Sequence, residues 1–153
     1  MKKRIIALGL LWCLSAVMLQ AARVDTVLVR SAAMNKDVKV VYVLPDKAIG
    51  KQACPGVYLL HGYGGNARSW VQLKPELPQM ADEKGIIFVC PDGKNSWYWD
   101  SPENPAYRYE TFVTSELVKY TDGNYATIPD RKARAISGLS MGGHGALWSA
   151  IRH

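Results

Sequence analysis

The sequence feature that most constrains the fold is a Gly-x-Ser-x-Gly motif, Gly138 to Gly142, with Ser140 at its centre. A short strand-like run over residues 133–136 leads into the motif, and small residues follow it. This context is typical of a nucleophile elbow, in which a strand, a tight turn with an exposed serine and a helix succeed one another. We expect Gly138 and Gly142 to lie where a Cβ atom would clash. Ser140 is therefore predicted to be a catalytic nucleophile rather than part of a turn without chemistry.

A second glycine-rich segment, the glycine loop (residues 61–65), follows an apolar run over residues 56–60. That run is typical of a parallel strand buried on both faces. Because the carboxyl ends of parallel strands meet at one edge of a sheet, the loop and the serine motif are expected to lie together. The N–H groups of Met141 and Tyr63, with Gly62 as the substitute for Tyr63, are the predicted oxyanion-hole donors. A phosphate-binding loop is disfavoured because no Gly-Lys-Ser/Thr follows.

The remaining pattern predicts strands that alternate with helices. Two strands near the start are expected to form an antiparallel hairpin, and amphipathic helices separate the later, buried strands. The predicted strands cover residues 25–30, 37–44, 56–60, 86–90 and 133–136, and the predicted helices cover residues 76–84, 104–122 and the segment after the serine motif. Such alternation indicates an α/β fold with a mostly parallel sheet, helices on both faces and right-handed crossovers.

Residues 1–22 are typical of a secretory signal peptide. They begin with Lys2, Lys3 and Arg4 and continue into an apolar stretch over residues 5–19. That stretch is shorter than the ~20 residues that a membrane-spanning helix needs, which favours cleavage over an uncleaved anchor. We therefore expect a secreted or periplasmic protein that has no membrane segment beyond the signal peptide.

The charge of the chain argues against a nucleic-acid-binding protein, and the positions of its cysteines argue against a disulfide-bonded one. The chain carries a net charge of +6, but the signal peptide supplies part of it and the other cations are mostly scattered, so a nucleic-acid partner is not indicated. Cys54 and Cys90 are expected at opposite ends of neighbouring strands, beyond the ~7 Å Cα separation that a disulfide tolerates. They are predicted to be free, buried thiols.

Six segments of the chain follow an order that is found in a known family. They are His61-Gly62-Tyr63-Gly64-Gly65, Pro91-Asp92-Gly93, Ser96-Trp97-Tyr98-Trp99-Asp100-Ser101-Pro102, Tyr109-Glu110-Thr111-Phe112-Val113, Glu116-Leu117 and Gly138-Leu139-Ser140-Met141-Gly142-Gly143. This order resembles the esterase D family of α/β-hydrolases, which includes S-formylglutathione hydrolases, tributyrin esterases, feruloyl and acetyl-xylan esterases and mycolyltransferases. The resemblance implies the α/β-hydrolase fold and a Ser–His–Asp hydrolase of carboxylic esters that needs no metal or cofactor.

The resemblance also implies where the other triad residues belong. In that family the triad aspartate and histidine follow the serine along the chain. The sequence given ends at His153, shortly after Ser140. We therefore expect residues 23–153 to be the N-terminal part of an esterase domain, truncated after the nucleophile elbow and lacking the triad aspartate and histidine. His61 is interpreted as a residue that shapes the glycine loop, and His144 as a packing or surface residue.

An aromatic stretch is the candidate substrate surface. Trp97, Tyr98 and Trp99 are expected on a loop at the same sheet edge as Ser140. The functional interpretation is that Trp97 and Tyr98, together with His61, contact the substrate and form a wall for an acyl or aromatic ester group. The alternative is that these aromatic side chains cover the edge of the core.

Three functions remain open at this point. The first is hydrolysis of short acyl or carbohydrate-linked esters, with a small-molecule or carbohydrate-linked ester as the substrate. The second is acyl transfer of the mycolyltransferase kind, in which a sugar hydroxyl replaces water. The third is a non-catalytic binding module that keeps a pocket without a triad. The fold alone does not separate them.

Overall fold

The computed structural model describes residues 22–153, so the predicted signal peptide lies outside the described residues apart from Ala22. The strands are β1 (Arg23–Ser31), β2 (Lys36–Leu44), β3 (Gly56–Leu60), β4 (Ile87–Pro91) and β5 (Arg134–Gly138). The helices are α1 (Asp46–Ile49), α2 (Ser69–Leu73), α3 (Leu77–Lys84), α4 (Tyr109–Thr111), α5 (Leu117–Asn124) and α6 (Met141–Arg152), with a π-helical turn over Phe112–Glu116 and a 3₁₀ turn over Arg131–Ala133. Within this range, no helix has the length and apolar character needed to cross a bilayer.

The strands form one mixed sheet in the order β1-β2-β4-β3-β5. β1 and β2 pair antiparallel, which confirms the predicted hairpin, and β2 pairs antiparallel with β4. β3 runs parallel to both β4 and β5. The carboxyl ends of these three parallel strands therefore meet at one edge, and β3 is the central strand of the three. β5 is the edge strand of the sheet among the described residues.

Helices cover both faces of the sheet, as the alternation of elements predicts. On one face, Tyr42 and Leu60 pack against Phe112, Leu117 and Met141, which belong to the π-helical turn, α5 and α6. On the other face, the strand residues Val41 and Phe88 share a buried cluster with Leu77 and Ala81 of α3 and with Ala67, which precedes α2. Fully burying a Leu or Phe side chain stabilises the fold by about 1.5–3 kcal/mol. The two apolar clusters therefore account for the layered arrangement.

The predicted start of the long helix was wrong. The helix was expected to begin near Asn104, whereas α4 begins at Tyr109. Ser101 Oγ accepts a hydrogen bond from the Asn104 N–H at 3.1 Å, and the Tyr107 N–H donates to the Asn104 carbonyl at 3.0 Å. Short polar side chains that bond nearby backbone in this way compete with a helix. The end of the helix also differs, because α5 continues through Gly123 to Asn124.

Both described cysteines are free and buried, which confirms the sequence-based prediction. Burial raises the pKa of the Cys90 thiol to about 12 and raises the pKa of Cys54 as well. Thiols of this kind are largely protonated at neutral pH and therefore poorly reactive.

A buried carboxylate, Glu110, ties α4 to the C-terminal half of α6. It accepts hydrogen bonds from Trp148 Nε1 at 2.8 Å and from Arg152 Nε at 2.8 Å. His153 Nε2 lies 2.9 Å from the same carboxylate. Burial disfavours the charged form, but the Trp148, Arg152 and His153 donors outweigh it and lower the pKa of Glu110 to about 2. The ionised carboxylate therefore stabilises the folded chain.

We predict that this contact makes the folded protein less stable at acidic pH. Because the pKa of Glu110 is lower in the folded chain than its unfolded value of about 4.3, its contribution is complete above that value and is lost as pH falls toward the folded pKa. Between about pH 7 and about pH 3 the expected loss is roughly 1–2 kcal/mol, allowing for solvent screening. Urea unfolding of the parent and of Glu110→Gln measures it. If the free energy of unfolding changes by the same amount between the two pH values in the parent and in Glu110→Gln, the prediction is contradicted.

Candidate active site

Ser140 sits at the turn between β5 and α6 in a conformation that few non-glycine residues adopt. β5 ends at Gly138, α6 begins at Met141, and the backbone of Ser140 has φ +53° and ψ −114°. A positive φ of this kind is strained for a residue with a Cβ atom. Flanking hydrogen bonds hold the turn: Leu139 N–H donates to the Leu60 carbonyl at 3.2 Å, and Gly142 N–H donates to the Leu139 carbonyl at 2.8 Å. The Ser140 side chain is exposed.

The two glycines of the motif are required by the close approach of three backbone segments. A Cβ atom on Gly138 would lie 2.2 Å from the carbonyl carbon of Gly142. A Cβ atom on Gly142 would lie 2.2 Å from the carbonyl oxygen of Leu60. The first turn of α6 therefore rests directly on the ends of β5 and β3, which confirms the expected clash. This contact places Ser140 above the carboxyl ends of the parallel strands.

The glycine loop lies beside Ser140. A Cβ atom on Gly62 would lie 3.7 Å from Cβ of Ser140 and 3.3 Å from the Leu139 carbonyl oxygen. The loop turns back on itself through a 3.0 Å hydrogen bond from the Gly65 N–H to the Gly62 carbonyl. Among residues 22–153, the N–H groups of Gly62 and Tyr63 donate to no backbone carbonyl. The first N–H groups of a helix such as α6 likewise have no acceptor inside the helix.

His61 is part of the interior and holds the glycine loop from below. Its side chain is 1% exposed, and its Nε2 accepts a 2.9 Å hydrogen bond from the Gly93 N–H. Because Nε2 accepts, the other ring nitrogen, Nδ1, is the donor, and it bonds the Gly62 carbonyl at 2.7 Å. This arrangement fits the interpretation of His61 as a loop-shaping residue. Its predicted substrate contact is wrong, because both ring nitrogens are engaged and the ring is buried.

The aromatic stretch divides between the surface and the core. Trp97 is 46% exposed, whereas Tyr98 is fully buried, with its hydroxyl on the backbone of His61. The predicted substrate wall is therefore wrong for Tyr98, which covers the core edge as the alternative expected. Trp97 packs edge-on against His144, with ring centroids 5.5 Å apart, and both residues line a cavity of about 260 Å³ together with Trp99 and Trp148. A substrate contact by Trp97 stays a prediction.

The family assignment follows from comparison with known proteins. Residues 31–153 match the model of the esterase family described as "Putative esterase". The chain belongs to this family. It is 28% identical over 131 residues to an acetyl esterase of Caldicellulosiruptor saccharolyticus, covering 80% of this chain and 48% of that protein. It is 32% identical over 140 residues to the diacylglycerol acyltransferase/mycolyltransferase Ag85A of Mycobacterium gordonae, covering 85% of this chain and 39% of that protein.

A solved structure of a similar hydrolase shows the same fold. The S-formylglutathione hydrolase of Agrobacterium tumefaciens superposes with a TM-score of 0.77 at 27% identity, covering 88% of this chain and 57% of that one. The predicted resemblance and the α/β-hydrolase fold class are thereby confirmed. The chain spans about half the length of the curated relatives that it matches.

Each histidine in the described part of this esterase-family chain is engaged away from Ser140. The His61 ring bonds Gly93 and Gly62. His144 Nδ1 lies 3.1 Å from the Trp97 carbonyl oxygen, and His153 lies on the Glu110 carboxylate. The local geometry thus supplies a strained, exposed serine and a loop with free N–H groups, and it brings none of these three imidazoles into a hydrogen bond with Ser140.

Sequence reasoning missed the structural roles of two residues that hold the site together. Tyr98 anchors the glycine loop and Glu110 anchors α6, yet neither has a local pattern that announces its partners. The available signal for Tyr98 was indirect. Gly93 and Gly145, which are distant in sequence, are both glycine because the Tyr98 ring occupies the space of their missing side chains.

We predict opposite effects for two glycine-to-alanine substitutions within helices. Gly142→Ala places a methyl group 2.2 Å from the Leu60 carbonyl oxygen and is expected to lower the free energy of unfolding by about 2–3 kcal/mol or to prevent folding. Gly123→Ala in α5, where a Cβ atom meets nothing within 4 Å, is expected to raise it by about 0.5–1 kcal/mol. Chemical denaturation of both variants measures the difference. Equal tolerance of the two changes would argue against the close contact between α6 and β3.

Proposed function

We propose that the whole protein is a serine carboxylic-ester hydrolase in which Ser140 is the nucleophile. The observation that carries this proposal is the strained, exposed serine at φ +53° beside a glycine loop in which the Gly62 and Tyr63 N–H groups lack backbone acceptors. Strain retained at one exposed serine is a feature of nucleophile elbows. The relatives named acetyl esterase and S-formylglutathione hydrolase support the same reaction class.

In the proposed reaction, Ser140 Oγ adds to the carbonyl carbon of the ester while its proton passes to a general base. The resulting oxyanion accepts hydrogen bonds from the N–H groups of Met141 and Tyr63, or of Gly62 in place of Tyr63. Loss of one such donor typically costs about 10²–10³-fold in kcat. The tetrahedral intermediate expels the alcohol, which takes the proton from the base, and water then hydrolyses the acyl-serine by the same steps in reverse.

The proposed general base is a histidine of the whole protein other than His61, His144 and His153. His61 is excluded because its Nε2 already accepts the Gly93 N–H at 2.9 Å and its side chain is 1% exposed. His144 and His153 are held by the Trp97 carbonyl and the Glu110 carboxylate. The proposed chemistry needs no metal ion and no cofactor, because a serine, a base and backbone donors supply each step.

The proposed substrates are short acyl or carbohydrate-linked esters. The relative named acetyl esterase supports a short acyl group. The exposed Trp97 and the apolar cavity that it lines with Trp99, His144 and Trp148 offer a surface for the acyl or sugar portion. We further propose that the protein is secreted or periplasmic, on the basis of the signal-peptide pattern in residues 1–22.

Acyl transfer is the second candidate function. The relative named diacylglycerol acyltransferase/mycolyltransferase, at 32% identity, favours it. The serine and the oxyanion donors would act identically, and a sugar hydroxyl would attack the acyl-serine in place of water. Product analysis with a sugar acceptor separates the two functions, because transfer yields an acylated sugar and hydrolysis yields the free acid. Ligand binding without turnover would instead support a non-catalytic binding module.

We predict that Ser140→Ala lowers the rate of p-nitrophenyl acetate hydrolysis by the whole protein at least about 10³-fold, because the proposed acyl intermediate forms on Ser140 Oγ. The matched control is Ser137→Ala, which removes the hydroxyl of an exposed β5 residue and is expected to leave the rate unchanged. Hydrolysis that survives Ser140→Ala would overturn the assignment of the nucleophile.

A further inference from the structure

Tyr98 occupies a backbone conformation that is costly for an aromatic residue. Trp97 and Tyr98 are successive non-glycine residues with φ +56° and φ +57°. The left-handed region is unfavourable for residues with a Cβ atom, so it persists only where surrounding contacts hold it. These two positive φ values direct the Tyr98 side chain into the core, whereas Trp97 stays 46% exposed.

The contact that Tyr98 gains is with the first residue of the glycine loop. The His61 N–H donates to the Tyr98 hydroxyl at 2.9 Å, and the same hydroxyl donates to the His61 carbonyl at 3.3 Å. One side-chain oxygen thus satisfies both backbone polar groups of a buried residue. His61 directly follows the last residue of β3, so the hydroxyl continues the hydrogen bonding of this strand into the loop.

The Tyr98 ring is enclosed by two other parts of the site. A Cβ atom on Gly93 would lie 2.2 Å from the ring, and a Cβ atom on Gly145 would lie 2.6 Å from the Cβ and Cδ2 atoms of Tyr98. Gly93 belongs to the loop after β4, and Gly145 belongs to α6. The His61 ring meets the Tyr98 ring edge-on, with centroids 5.8 Å apart. One side chain therefore contacts the glycine loop, the loop after β4 and the helix that follows Ser140.

We propose that Tyr98 is a positioning residue that fixes the glycine loop relative to Ser140. The inference rests on the proposed esterase function. The glycine loop carries the proposed donors of Tyr63 or Gly62, and α6 carries the donor of Met141 together with Ser140. Oxyanion donors act only within hydrogen-bond range of the developing charge, so their separation must be held closely. Tyr98 is fully buried and does not contact the substrate itself.

The matched test compares Tyr98→Phe with Tyr42→Phe in the whole protein. Both tyrosines are fully buried, and each substitution keeps the ring and removes one hydroxyl. The Tyr42 hydroxyl bonds Thr121 Oγ1 at 2.8 Å, in the core between β2 and α5. The two variants therefore make the same chemical change, and only Tyr98→Phe removes a contact to the glycine loop.

The first readout is amide hydrogen exchange of His61, Gly64 and Gly65, the hydrogen-bonded N–H groups of the glycine loop, and it does not depend on catalysis. Tyr98→Phe is expected to accelerate this exchange at least about tenfold, because the His61 N–H loses its only side-chain acceptor among the described residues. Tyr42→Phe is expected to leave it unchanged. Unchanged exchange in Tyr98→Phe, or equal acceleration in both variants, would overturn the proposal.

The second readout separates positioning from a merely structural role. Tyr98→Phe is expected to lower kcat at least about tenfold with KM unchanged, whereas Tyr42→Phe leaves kcat near the parent value. A similar loss of thermal stability in both variants with kcat intact would overturn the catalytic consequence. If the parent shows no turnover that depends on Ser140, the esterase function fails, and hydrogen exchange still decides whether Tyr98 holds the loop.

A further variant tests the same contact without changing the hydroxyl. Gly145→Ala places a methyl group 2.6 Å from Tyr98 and is expected to displace the ring. It should accelerate exchange of the same hydrogen-bonded amides, those of His61, Gly64 and Gly65, and should lower kcat as Tyr98→Phe does. Gly123→Ala, which meets nothing within 4 Å, is the control and should change neither. Normal loop exchange in a folded Gly145→Ala protein would count against the role of Tyr98.

Discussion

The site depends on the direct contact of α6 with the ends of β3 and β5. Gly142 lies against the Leu60 carbonyl with no room for a side chain, and Gly138 lies against Gly142 in the same way. Because interiors of this kind are close-packed, a methyl group at either position has no space to occupy. The contact fixes where the helix begins. It therefore fixes the position of Ser140 above the carboxyl ends of the parallel strands.

The unfavourable backbone conformations near the site are balanced by buried hydrogen bonds. Ser140, Trp97 and Tyr98 all have positive φ values, which cost free energy in residues with side chains. Two hydrogen bonds in the interior oppose that cost. The His61 N–H donates to the Tyr98 hydroxyl, and the Gly93 N–H donates to His61 Nε2. At the far end of α6, the Glu110 carboxylate holds Trp148 and Arg152. The helix that carries Ser140 is thus anchored at both ends.

Local sequence patterns correctly predicted the elements that are determined by residues close together in the sequence. The boundaries of β3 were right because a short apolar run with turn signals on both sides forms a strand in which every residue but the half-buried Val57 is buried. The strand–turn–helix geometry around Ser140 was predicted correctly because Gly138 and Gly142 are required by backbone contact. The start of α4 was wrong because Ser101 and Asn104 stabilise a competing loop. The burial of the Tyr98 side chain was not predictable from the sequence. It requires a positive φ at a residue other than glycine, and it depends on contacts with His61, Gly93 and Gly145, which are distant in the sequence.

The most direct test of the proposed site is a structure of the whole protein after reaction with a fluorophosphonate, whose adduct mimics the tetrahedral intermediate. The account predicts a phosphorus atom bonded to Ser140 Oγ. It also predicts a phosphonyl oxygen about 2.7–3.1 Å from the backbone nitrogens of Met141 and of Tyr63 or Gly62. An adduct on another residue, or a phosphonyl oxygen directed into solvent away from the glycine loop, would contradict it.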